Sequence, residues 1–149
     1  MKIQKLFRTF AIAFGLIAAP SFAFSASTAA VSDTHDEGYK VIHADELKSW
    51  IDSGKTIQIV DARPKKFDEG VVIKGAVFLP YDSNDALIAK TLPSKDAVVV
   101  VYCANIKCPA STNLAKKLHS LGYKNLYKYP EGIADWMDKK LPTSPAPKS

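Results

Sequence analysis

Cys103 and Cys108 are the residues of this 149-residue chain best suited to covalent chemistry, and they are its only cysteines. Cys103 ends the run AVVVVYC at 97–103, whose β-branched, continuously apolar residues read as a buried strand. After four intervening residues come Cys108 and Pro109, and proline suits the first turn of a helix. Ala110, Leu114, Ala115, Leu118 and Leu121 then recur at helical spacing up to Gly122, a good stop. A cysteine thus sits where a buried strand enters a tight loop and a helix. Unpaired loop amides and the positive end of the helix dipole favour an anionic sulfur there. The expected chemistry is that of a thiolate on Cys103.

Two cysteines could instead form a structural disulfide. That link would close only six residues, stabilising by about 2 kcal/mol in the chain-entropy picture. A domain of this size can hold together without it, so the spacing is read as reactive sulfur. No metal is expected: His35, His43 and His119 show no ligand spacing with the cysteines. His43 reads as a boundary residue and His119 as a surface one. Asp61 and Arg63 stand at the end of a second apolar run. Arg63 is the only arginine beyond residue 8 in a lysine-rich chain, and its fixed fork can hold a carboxylate or loop carbonyls as lysine cannot. An ion pair pinning the neighbouring loop is the favoured reading, with direct substrate contact second.

These residues need a scaffold, and the chain supplies one in alternation. A short strand is expected at 39–42, and a helix from His43 with Asp45 and Glu46 in its first turn. Leu47, Trp50 and Ile51 form its inner face, and Ser53 and Gly54 end it. TIQIV at 56–60 is a strand, 65–69 a helical turn, and 76–79 a third strand after a turn at Lys74 and Gly75. Ser83 is expected to cap a helix reaching Lys90. NLYKY at 125–129 is a fifth strand, and 133–139 a last helix carrying Trp136 as a core plug. Strands alternating with helices imply a parallel α/β sheet with helices on both faces, ligand sites lying at the carboxyl ends of its strands. Asp61, Arg63 and Cys103 all fall at such ends.

The ends of the chain read differently. Residues 1–23 have Lys2, Lys5 and Arg8 followed by an apolar stretch too short to span a bilayer, then small residues. This is a secretory signal peptide, with cleavage expected after Ala23, and the address is exported, periplasmic in a Gram-negative source. Segments 24–37 and 143–149 read as flexible, leaving one domain at 38–142. The formal charge is +5, but three of the 20 cations leave with the leader, so 17 face 15 acids in the remainder. With no basic run, a nucleic-acid partner is excluded, as is a stable membrane span after processing.

At this point the residues resemble the single-domain rhodanese-like sulfurtransferases. The resemblance covers roughly residues 41–142. It rests on IVDAR at 59–63, Gly75-Ala76 ahead of a strand, VVVYC at 99–103, Leu121-Gly122-Tyr123, and EGIADW at 131–136. It implies a three-layer α/β/α fold with a five-stranded parallel sheet. It also implies sulfurtransferase activity without a cofactor, through a sulfane sulfur carried as a persulfide on Cys103. The sequence departs from the common pattern in four places. Gly70-Val71-Val72-Ile73 stands for Gly-His-Ile, and Glu131-Gly132 for Gly-Gly. The loop after the cysteine is longer than the common form, and the loop-closing arginine gives way to Cys108, as in some members.

On this reading Cys103, its pKa lowered, attacks a sulfane sulfur. The amides of Ala104, Asn105, Ile106, Lys107 and Cys108 hold the resulting persulfide charge, with Asp61 and Arg63 in support and Cys108 a candidate resolving thiol. The loop lacks the arginine that a tetrahedral oxyanion needs, which disfavours phosphoryl transfer and tilts the donor from thiosulfate toward polysulfide or persulfide. The acceptor is a thiol or cyanide, the partners being a small sulfur donor and a small-molecule or protein thiol. Two other readings stand beside it: a thiol–disulfide switch using Cys103 and Cys108, and a non-catalytic binding module.

Overall fold

The structure, a computed structural model, describes residues 38–147. The leader read at 1–23 and the polar segment at 24–37 lie outside the described residues. Five strands make the main sheet: β1 (Lys40–Val41), β2 (Gln58–Asp61), β4 (Val77–Phe78), β5 (Val98–Tyr102) and β6 (Asn125–Tyr129). They lie in the order β1-β6-β5-β2-β4, every neighbouring pair parallel. β5 is central, and Val99, Val100 and Val101 are buried because helices cover both faces. Val99, Val101 and Cys103 face one side, with Ile88 and Leu92 around helix α2 (Asp85–Thr91) and Leu114 and Leu118 of α3 (Ala110–Ser120). Val100 and Tyr102 face the other, with Leu47 of α1 (Ala44–Asp52) and Ile133 and Trp136 of α4 (Gly132–Asp138). This period-2 alternation puts the Cys103 side chain on the α3 face. The architecture is the expected α/β/α sandwich around a five-stranded parallel sheet.

The helix boundaries follow local chemistry. Asp45 and Glu46 occupy the first turn of α1, where acids complement the helix dipole. α3 ends in a Schellman motif: Gly122 at φ 89° donates to His119 O, and Tyr123 to Leu118 O. Pro109 is already helical and its carbonyl accepts from Asn113, so it caps α3 rather than lying inside it.

Three expectations need correction. Asn84, not Ser83, caps α2: its Oδ1 accepts from the Leu87 amide at 2.8 Å. Val71–Ile73, read only as the run before a turn, forms a strand, β3. Its partner is β7 (Thr143–Pro145), antiparallel, so residues 143–145 of the segment read as a flexible tail are ordered in a two-stranded sheet. The proline-rich composition hid this strand. Pro145 is tolerated because β7 pairs on one side only, so its missing N–H falls at an edge.

Candidate active site

The backbone of Cys103 is fixed from two directions. β5 delivers it to the carboxyl end of the sheet, and the first amides of α4 reach across to the loop. Ile133 N–H donates to Cys103 O at 2.9 Å, and Ala134 N–H to Ala104 O at 3.0 Å. These are helix N-terminal donors with no partner in their own helix. Gly132 makes the approach possible. It sits at φ 69°, and a Cβ there would come within 2.3 Å of Cys103 O.

Asp61 and Arg63 form the loop pin that their spacing suggested. Arg63 Nε donates to both Asp61 oxygens at 3.0 Å, and its Nη2 donates to Asp61 Oδ2 at 2.7 Å. The rest of the fork holds the backbone of the 64–71 loop, with Nη2 donating to Val71 O at 2.7 Å and Nη1 to Phe67 O at 3.4 Å. Tyr102, which sequence reasoning treated only as strand filling, completes the cluster. Its hydroxyl donates to Asp61 Oδ2 at 3.0 Å and accepts from Ile73 N–H at 3.1 Å. Burial above all, and then Asp61, push the Tyr102 phenol far up, so it stays a neutral donor. Arg63 borders the cavity described below, but its guanidinium is committed to Asp61 and the loop.

The two sulfurs are arranged otherwise than expected. Both cysteines are free thiols, Cys103 buried and Cys108 half-buried. Cys103 is 0% exposed. Around its Sγ lie two carbonyls, Cys108 O at 3.2 Å and Asn105 O at 3.8 Å, and the Ser111 hydroxyl at 3.3 Å. Carbonyls favour S–H over S⁻. Burial first, and then hydrogen bonding with Cys108, push the Cys103 thiol up, against the expected lowering, and hydrogen bonds from the Ser111 hydroxyl and amide only partly offset this. At Cys108 burial also acts upward. Hydrogen bonds from Cys103 and from the amides of Ala104 and Ala110 outweigh it and hold this thiol below its ordinary value.

In place of the bowl of amides expected around Cys103, two carbonyl oxygens and the Ser111 hydroxyl lie nearest its sulfur. Two of the loop amides expected to face an anion are used within the loop: Lys107 N–H donates to Asn105 Oδ1 at 3.0 Å and Cys108 N–H to Asn105 O at 3.0 Å. Ile106 points outward, 73% exposed. Sequence reasoning missed Ala110 and Ser111, though both lie in the first turn of the helix it had placed there, where amides are unpaired.

Beside the loop opens a cavity of about 560 Å³, lined among others by Lys66, Phe67, Asp68, Asn105, Lys107 and Cys108. That volume suits a small molecule. Among the described residues no cluster of three or more histidine, cysteine or acidic side chains could hold a metal ion. His43, placed at a helix boundary, pairs with Glu131 through Nδ1 and Oε1 at 2.8 Å, and His119 is exposed on α3.

The Rhodanese-like domain family matches the chain over residues 43–139. Among solved structures the chain is similar to a Bacillus halodurans protein, with 25% identity and a TM-score of 0.64, over 72% of this chain and 77% of that one. It is also similar to the rhodanese-like domain of an Anabaena protein, with 25% identity and a TM-score of 0.58, over 70% and 77% of the two chains. A Pseudomonas aeruginosa thiosulfate sulfurtransferase shares the fold at 19% identity and a TM-score of 0.60, over 72% of this chain and 20% of that one. No curated protein matches the chain. The family match spans every strand of the main sheet but β1, and neighbours and topology agree with it: the chain belongs to the rhodanese-like domain family.

Proposed function

We propose that this protein is an exported sulfurtransferase that moves sulfane sulfur from a persulfide or polysulfide donor to a thiol acceptor, carrying it as a persulfide on Cys103. The observation that supports this most is the pair of free thiols in the loop at the carboxyl end of the central strand, one of them opening on a cavity of small-molecule size. In the first half-reaction a thiolate attacks the sulfane sulfur of R–S–SH. A new S–S bond forms, the donor's S–S bond breaks, and R–S⁻ leaves with the electron pair. In the second, an acceptor thiolate attacks the outer sulfur and the protein's cysteine leaves as the thiolate.

Donor class follows from charge. Arg63 is spent on Asp61 and on loop carbonyls, and the cations lining the cavity are Lys66 and Lys107, with Asp68 and Glu69 beside them. A tetrahedral oxyanion lacks a guanidinium clamp there, whereas a persulfide does not need one. The leader read at residues 1–23 supports action after export, and among the described residues no helix is long and apolar enough to cross a membrane.

Incubation with glutathione persulfide is expected to add the mass of one sulfur atom to the protein, held on Cys103 at equilibrium and discharged by a thiol. Failure to gain sulfur from persulfide or polysulfide overturns the reading. Two free thiols in one short loop also favour a second reading, a disulfide switch. A stable bond between Cys103 and Cys108 in freshly isolated protein, with turnover only under a reductant, would select it.

A further inference from the structure

The sulfur that a donor meets first is not the one at the strand end. Of the two thiols only Cys108 lines the cavity, while Cys103 lies behind it with 0% exposure. The polar surroundings differ as well. The Cys103 sulfur has backbone oxygens beside it, Cys108 O at 3.2 Å and Asn105 O at 3.8 Å, which disfavour its thiolate, whereas hydrogen bonding holds the Cys108 thiol below its ordinary value. A nucleophile needs access and a stabilised anion, and both lie at Cys108. Cys103 instead adjoins Cys108 directly, its Sγ lying 3.2 Å from the Cys108 carbonyl oxygen, which sets the two residues side by side for a transfer between them.

We propose that Cys108 is the sulfur that attacks the donor in the cavity, and that Cys103, behind it, receives the sulfane sulfur from Cys108. This rests on the sulfurtransferase reading above and assigns the order within it. In the reacting form Cys108 is the thiolate and Cys103 the thiol. Attack of Cys108 on the terminal sulfur of R–S–SH forms Cys108–S–SH and releases R–S⁻, which takes the Cys103 proton and departs as R–SH. The Cys103 thiolate then attacks the outer sulfur of Cys108–S–SH, forming Cys103–S–SH and restoring the Cys108 thiolate. The sulfane sulfur keeps its oxidation state throughout, so no oxidant or reductant enters. Delivery to an acceptor runs the same two steps in reverse.

The test is a time course of full-length protein with glutathione persulfide, quenched by alkylation and digested with trypsin. Cleavage after Lys107 places Cys103 and Cys108 on separate peptides. In the wild type the extra sulfur is expected on the Cys108 peptide before it reaches the Cys103 peptide. Cys103→Ser is expected to keep the sulfur on Cys108, and Cys108→Ser to load Cys103 at least about tenfold more slowly. Sulfur appearing on Cys103 first, or Cys108→Ser loading at the wild-type rate, overturns the order and leaves the sulfurtransferase reading standing. No loading of wild type overturns both. The wild-type time course decides the matter without any variant having to fold.

Discussion

Arg63 brings a full charge to a position 1% exposed, and what makes this tolerable is that nearly every donor of its fork is used. Asp61 neutralises it, two loop carbonyls take further N–H groups, and Tyr102 satisfies the remaining demand on the carboxylate. Removing one partner of such a pair leaves the other buried and uncompensated, which costs about 3–5 kcal/mol. Asp61→Asn is therefore expected to lower unfolding stability by about 3 kcal/mol or more in urea denaturation. A loss below about 1 kcal/mol, typical of exposed pairs, would show that water compensates the site. The pin was legible in sequence because a lone arginine two residues from an aspartate at a strand end has few other uses. Tyr102 was not legible, since its role depends on β2 and β5 lying side by side with Asp61 and Tyr102 in register. The charge state of Cys103 was misread for a related reason. Sequence places a cysteine at a strand end and a helix start, but it shows neither how deep the sulfur lies nor that Asn105 consumes two of the loop amides.

Among elements, α4 governs the site although it contributes no reactive group. Its first amides hold the Cys103 and Ala104 carbonyls, and that approach leaves no room at Gly132 for a side chain. In Gly132→Ala the new methyl meets backbone atoms, which cannot rotate away, at a left-handed φ that alanine rarely adopts. Strain and overpacking together are expected to cost at least about 2 kcal/mol. Because the loop must shift to relieve the clash, persulfide loading of the folded fraction should slow as well. A variant with wild-type stability and loading would mean that α4 does not anchor the loop. This helix, like α1 and α3, could be read from apolar spacing and stop signals, which are local. The cap of α2 slipped by one residue because serine and asparagine stand together at 83–84 and both are good caps. β3 and β7 escaped because each is three residues long and acquires strand geometry only from the other.

Across the whole molecule that late pairing links the end of the chain to the pin. β7 lies along β3, Ala146 N–H donates to Gly70 O, and β3 begins at Val71, whose carbonyl Arg63 holds. Val72 and Ile73 of the same strand are buried against the α1 and α4 side of the sheet. The C-terminal segment therefore stabilises the 64–71 loop without touching either cysteine. Deleting residues 143–149 removes the β3–β7 hydrogen bonds, each contributing about 1 kcal/mol net, and is expected to cost about 2 kcal/mol and lower Tm by roughly 10 °C in a domain of this size. Amide exchange over 71–73 should accelerate more than exchange in β5, whose neighbours on both sides remain in place. Loading of Cys108 by glutathione persulfide should stay near the wild-type rate at temperatures where the truncated protein is folded. Truncation that left both Tm and exchange unchanged would show that β7 contributes nothing to β3. Truncation that halted loading in folded protein would mean that the tail reaches the thiol loop through contacts other than Arg63.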